Sequence, residues 1–128
     1  MERVAITGMG IISSLGCETE EYYRRVMAGE IAVRPAPWAS EFEGRKMWWS
    51  AAEQFDPRDW MGPKVEAGSD LFAQFALAAT HQAVQDAQIE FYSERTAVVH
   101  GTSLGGGRSM MLAQHQLRSH LLKLPRPH

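Results

Sequence analysis

An α/β fold of strands with flanking helices is what the sequence predicts, and three observations predict it. Val4-Ala5-Ile6-Thr7 and Thr96-Ala97-Val98-Val99-His100 are short, β-branched runs that each end at a glycine, the pattern of buried strands running into turns. Two segments with helical signals follow the first run and one follows the second. Strand and helix therefore alternate along the chain, as they do in α/β proteins. The 128 residues, 45% of them hydrophobic, suit one domain with its own core.

The elements follow in order. Val4–Thr7 reads as a buried strand entering a turn at Gly8. Thr19 is placed to cap a helix through Ala28: Glu20 and Glu21 fall in the first turn, Arg24 and Arg25 near the end, and Gly29 stops it. Residues 35–44, rich in proline and small or charged side chains, read as a loop. Met47–Ala51 has the composition of a short strand. Phe55–Asp59 and Gly62-Pro63 punctuate a further loop. Asp70 then caps the clearest helix, with apolar positions at Leu71, Phe72, Phe75, Ala76, Ala79, Ala83, Val84 and Ala87. That is the i, i+3, i+4 rhythm of a buried face, and its alanines allow close approach of a neighbour. Thr96–His100 is the second strand, closed by the glycine-rich turn Gly101–Gly107. A last helix runs from about Ser109 to Lys123, and Pro125 and Pro127 end it. There is no internal repeat and no low-complexity segment.

Composition excludes several classes of function. The formal net charge is -2, with both signs mixed along the chain, so there is no clustered basic face for nucleic acid. The single cysteine, Cys17, allows no internal disulfide, and a reducing cytoplasm is the expected compartment. No stretch approaches the ~20 apolar residues that cross a bilayer. The opening residues lack a signal-peptide layout.

Four patterns invite a chemical reading. Gly8-Met9-Gly10 follows a strand as a dinucleotide-binding loop does, but Ser13 replaces the third glycine and no helix follows at once, so a tight structural turn is preferred. Gly101-Thr102-Ser103-Leu104-Gly105 matches the G-x-S-x-G nucleophile elbow. His115, His120 and His128 lie after Ser103, but no Asp or Glu does, and an unoriented histidine is a poor base. His115 and His120 are five residues apart, about 140 degrees around a helix, and form no metal pair. Cys17 has no neighbouring base and reads as a bystander thiol. Trp48, Trp49 and Trp60 fit packing of a long loop better than ligand stacking.

Four segments in the right order resemble the start of the β-ketoacyl synthases of fatty-acid and polyketide synthesis. Arg3–Gly16 resembles the family's opening strand and turn, and the helix ending Ala28-Gly29-Glu30 its first helix. Phe55-Asp56-Pro57, Met61-x-x-Lys64 and Asp70-x-Phe72-x-Gln74-Phe75-Ala76-Leu77-Ala78-Ala79 resemble the next stretch. Gly101-Thr102-Ser103-Leu104-Gly105-Gly106 resembles the family's glycine turn, and Gln114-His115 and Leu121-Leu122-x-x-Pro125-Arg126 continue the match.

The resemblance implies the N-terminal portion of a thiolase-like layered fold, truncated before the catalytic cysteine and two histidines, which lie downstream in relatives. No catalytic residue is assigned within this chain, and no cofactor or metal is implied. It implies decarboxylative condensation of an acyl thioester with malonyl-acyl carrier protein. The implied partners are acyl carrier protein, the acyl-thioester substrate, and a homodimer mate or a heterodimeric synthase subunit. Ser103, Leu104 and Gly105 match a position near the acyl pocket, with Leu104 where a gate against the acyl chain stands; core packing is the competing reading of Leu104. Lys64 and Arg126 match basic positions that meet the acidic carrier, and ordinary solvated charges are the competing reading. Relatives tend to carry a basic pair just before Asp70 and an arginine at the next position; here Ala67, Gly68 and Leu71 stand there. A non-catalytic subunit resembling the chain-length factors, and a serine hydrolase using Ser103, are the alternative functions.

Overall fold

The computed structural model describes residues 3–38 and 45–121. Four helices carry it: α1 (Thr19–Met27), α2 (Pro63–Gly68), α3 (Leu71–Ala87) and α4 (Gly107–Leu121). β1 (Arg34–Pro35) and β2 (Trp48–Trp49) pair antiparallel, with Arg34 opposite Trp49 and Pro35 opposite Trp48. Pro57–Asp59 and Ser93–Arg95 form short 3-10 turns.

α1 has the expected charges and the expected stop. Its N-cap is Glu18, one residue ahead of the predicted Thr19. At its end the Glu30 N–H donates to the Arg25 carbonyl (3.0 Å) and the Gly29 N–H to the Val26 carbonyl (2.9 Å), with Gly29 at φ 71. This is a Schellman end, and it requires a residue that tolerates left-handed backbone. Arg25 binds Glu30 through Nε at 2.7 Å and lies 3.6 Å from Glu21.

At α2 the Gly62-Pro63 pair has the composition of loop punctuation. Pro63 is instead the first helical residue, where its missing N–H is no loss and its fixed φ suits the helix. The Gly62-Pro63 pair therefore starts a helix and does not interrupt one.

α3 is the organising element. Asp70 caps it as predicted, accepting from the Leu71 N–H at 3.2 Å. Phe75 meets Phe55 edge-on, with ring centroids 4.8 Å apart. Its most buried residues are Ala78 and Gln74, whereas Leu71 and Val84 of the predicted apolar face are exposed. Gln74 is buried because its amide is satisfied: Nε2 donates to the Glu66 carbonyl (3.0 Å) and the Ser69 carbonyl (3.1 Å). It ties α2 to α3.

The opening segment lies directly on α3. A Cβ on Gly8 would stand 2.1 Å from the Ala83 carbonyl oxygen and 3.0 Å from the Ala87 Cβ; one on Gly10 would stand 1.9 Å from the Ala79 carbonyl oxygen. The alanine stripe of α3 and the two glycines make one close-packed seam. Polar clamps border it. The Met9 N–H donates to Asp86 Oδ2 (2.9 Å). Gln82 accepts from the Ile11 N–H (3.1 Å) and donates to the carbonyls of Ile11 (3.2 Å) and Cys17 (2.7 Å).

The two predicted strands are corrected. Residues 4–7 and 96–100 carry no strand ladder among the described residues. Val4 (95%), Ile6 (85%), Val98 (87%) and Val99 (96%) are almost fully exposed. β-branched composition sets a residue's fit to a sheet, but a strand exists only when a neighbouring strand takes its N–H and C=O groups. Met47–Ala51 holds β2, as its composition indicated. α4 begins at Gly107, two residues before the predicted Ser109. Its predicted end at Lys123, the stop at Pro125 and Pro127, and most of the 35–44 loop lie outside the described residues.

Candidate functional site: the glycine turn before α4

The turn between His100 and α4 is built on the first turn of α3. Phe72 supplies the floor. Its ring stacks on the His100 imidazole, with centroids 5.9 Å apart and planes 17° apart. On the other side of the turn the ring lies under Gly105, where an added Cβ would be 2.8 Å from Phe72 Cε2 and 2.9 Å from Thr102 Oγ1. A side chain there would have to displace Phe72 or Thr102.

Gly106 follows at φ 78, and a Cβ on it would be 3.0 Å from Asp70 Oδ2. The cap of α3 therefore also abuts the entry to α4. The Gly107 N–H donates to the Leu104 carbonyl (3.2 Å), and the Met110 N–H to the Gly106 carbonyl (2.9 Å). These bonds close the turn into the helix.

Ser103 and Leu104 crown the turn. Both are exposed, Leu104 at 73%. Gly105 is half-buried below them. The structure keeps these three together simply because they are contiguous. Lys64 is exposed in the first turn of α2. Arg126 lies outside the described residues.

The competing chemistries do not assemble. A nucleophile elbow holds its serine on strained backbone, yet among described non-glycine residues only Gln88 has positive φ (49). His100, the histidine nearest Ser103 in sequence, is stacked on Phe72. The Gly8-Met9-Gly10 loop has helix carbonyls against both glycines, which leaves no cradle of N–H groups for a pyrophosphate. Cys17 is half-buried, and its thiol is pushed up first by burial, then by the Glu21 carboxylate, with Glu18 adding to it. A thiol kept protonated is a poor nucleophile. Among the described residues no three His, Cys, Asp or Glu side chains cluster to hold a metal. Two of the three tryptophans singled out from sequence pack: Trp49 meets Trp38 edge-on at 5.0 Å with Arg34 5.1 Å over its ring, and Trp60 meets His81 at 6.0 Å, whereas Trp48 is 61% exposed.

Sequence reasoning assigned Phe72 to the core face of α3, and its role beneath the turn came only with the fold. Gln74 and Gln82 carried a partial signal, as two of the three amides in a helix of mostly apolar residues, the third being Gln85. Such amides mark backbone groups that need partners.

Comparison with known proteins places the chain in a family. A family model described as "Beta-ketoacyl synthase, N-terminal domain" matches residues 1–124. The 3-oxoacyl-[acyl-carrier-protein] synthase 2 of Rhizobium meliloti (strain 1021) is 33% identical over 132 aligned residues, which cover 92% of this chain and 31% of that protein. The synthase of the same name from Coxiella burnetii (strain RSA 493 / Nine Mile phase I) is 33% identical over 111, covering 81% and 26%. Among solved structures, the ishigamide ketosynthase/chain length factor superposes with a TM-score of 0.71 at 26% identity, covering 90% of this chain and 29% of that one. The chain thus spans less than a third of the length of these relatives. The likeness carries the expected thiolase-like α/β class, of which this chain presents the N-terminal part. No helix of the described residues is long and apolar enough to cross a membrane.

Proposed function

The chain belongs to the β-ketoacyl synthase family, and from that membership we propose that it is the N-terminal part of a condensing enzyme of fatty-acid or polyketide biosynthesis. In that reaction an acyl group passes from its carrier thiol to an enzyme cysteine. A malonyl thioester loses carbon dioxide, and the carbanion left behind attacks the acyl carbonyl and expels the cysteine. The carbon–carbon bond forms as the carbon–sulfur bond breaks. A thiolate nucleophile and donors for the developing oxyanion carry those steps, and none of them is assigned to a residue of this chain.

The part proposed for this chain is substrate contact. Ser103, Leu104 and Gly105 form the lip of the acyl pocket, and Leu104 gates it. Two observations support this. The turn is held from below and open above, and its glycines bring backbone within reach of a ligand. An exposed Leu104 has apolar surface to offer an acyl chain. Lys64, an exposed cation of α2, and Arg126 meet the acidic acyl carrier protein, since cations steer an acidic partner. The protein acts in the cytoplasm as a homodimer or with a synthase subunit.

The observation that carries the reading is the family match over residues 1–124. A second reading, a non-catalytic subunit that pairs with an active synthase, is favoured by the likeness to the ketosynthase/chain length factor structure. Sequencing the coding region beyond the codon for His128 separates the two. An open frame that supplies a cysteine in a strand-to-helix turn, then two histidines, gives a product expected to decarboxylate malonyl-acyl carrier protein. A frame that lacks the cysteine sinks the first reading and leaves the second. A stop codon removes condensation by this chain alone and makes partner capture the question.

A further inference from the structure

We propose that Phe72 is a positioning residue for the turn Ser103–Gly105, setting where Leu104 stands and so which acyl-chain length the lip accepts. The specificity part rests on the reading of that turn as an acyl-pocket contact. The positioning part stands on geometry alone.

One ring touches both ends of the turn. His100 enters it stacked on Phe72, and Gly105 leaves it beside the same ring, so close that an added Cβ would be 2.8 Å from Phe72 Cε2. The same ring therefore borders the turn at its entry and at its exit. Phe72 sits at the second position of α3, directly after the capped Leu71, so its backbone is fixed. Its side chain has only two torsions to order, which makes an aromatic a rigid support at low entropy cost. The supported segment is the opposite, since Gly105, Gly106 and Gly107 have high backbone freedom and spread once the support is gone. Phe72 is itself partly exposed, because the turn covers one face of it. Its place in the molecule is that of a pedestal and not of a core residue.

The test uses the full chain with Phe72→Ala, Phe72→Tyr, Gly105→Ala and Leu104→Ala. Amide exchange is read across residues 101–107, with Gly107, whose N–H bonds the Leu104 carbonyl, as the protected probe and α1 as internal reference. The expected result is exchange at least about tenfold faster in Phe72→Ala, confined to the turn and restored in Phe72→Tyr. Unchanged exchange overturns the proposal. Should Phe72→Ala unfold, Gly105→Ala decides: accelerated exchange limited to residues 100–107 supports the pedestal, and unaltered exchange overturns it.

Binding of acyl-pantetheine thioesters of short, medium and long chain is then measured by calorimetry. Leu104→Ala is expected to change the long-to-short affinity ratio by about tenfold, the effect of a small change in an apolar pocket. Phe72→Ala is expected to move it in the same direction, and Phe72→Tyr to return it. A ratio that moves with Leu104→Ala but not with Phe72→Ala overturns the specificity role. A ratio that moves with neither removes the acyl-pocket reading and the specificity role with it, while the exchange result still decides the positioning.

Discussion

Replacing Gly10 with alanine should cost this chain a large part of its stability, and the size of the effect follows from the seam on α3. In open space a Gly→Ala change stabilises by ~0.4–1 kcal/mol, because the unfolded chain loses freedom. At Gly10 that gain is opposed by overlap. The new Cβ would lie 1.9 Å from the Ala79 carbonyl oxygen and 2.8 Å from both the Ala79 carbonyl carbon and the Gln82 Cβ. The nearest obstacle is helix backbone, so relief comes only by lifting residues 8–11 off α3. Forcing extra volume into a packed contact costs ~1–3 kcal/mol. Lifting the segment also removes the bonds from the Met9 and Ile11 N–H groups and to the Ile11 carbonyl, each worth ~1 kcal/mol net. These costs overlap, and the net loss is about 2–5 kcal/mol against the ~5–15 kcal/mol of a typical domain. Two other glycines calibrate the scale. Gly29 has φ 71 and nothing within 4 Å, so Gly29→Ala reports left-handed strain alone, about 1–2 kcal/mol. Gly68 lies in α2 with open space around it, so Gly68→Ala should gain about 0.5–1 kcal/mol. Urea midpoints by circular dichroism should fall in the order Gly68→Ala, wild type, Gly29→Ala, Gly10→Ala. A Gly10→Ala midpoint at or above that of Gly68→Ala would refute the close-approach argument.

Gln88 closes α3 in left-handed backbone at φ 49; Gln88→Gly should therefore raise stability by about 1 kcal/mol, read as a higher urea midpoint. Cys17, held protonated by burial and by Glu21, should alkylate with iodoacetamide more slowly in the folded chain than in urea at mildly alkaline pH, and faster in Glu21→Gln; equal rates would contradict the assignment. Asp56 is held down to about 2 by the Arg58 guanidinium and the Arg58 N–H. Its folded pKa lies below its ordinary value, so its contribution is present above about pH 4 and is lost as pH falls through about 2. The stability gap between wild type and Asp56→Asn should close over that window, and a gap that widens toward low pH would reverse the sign. The bare apolar segments at Val4, Ile6, Val98 and Val99 should drive the isolated chain to associate; a concentration-independent monomer in sedimentation would count against this.

What the sequence by itself determined is what is written in neighbouring residues. α1 and α3 are legible because caps, charged ends and apolar spacing act within a few positions, and their ends fall within a residue of where Thr19, Gly29 and Asp70 put them. The family was legible too, since ordered motifs survive without any geometry. α2 was missed because Gly62-Pro63 serves equally as loop punctuation or as a helix start, and only the bonds from Ser69 and Gln74 back to it settle which. The runs at 4–7 and 96–100 were read as strands from composition alone. Strand pairing is non-local, and the described residues supply no partner. Tertiary structure alone decided the rest of the candidate site. The glycines at 8 and 10 resemble a phosphate loop until α3 is laid against them, and Phe72 looks like core until Gly105 and His100 close over its ring. Each is a contact between segments far apart in the chain, and no local pattern encodes which distant backbone a small residue exists to admit.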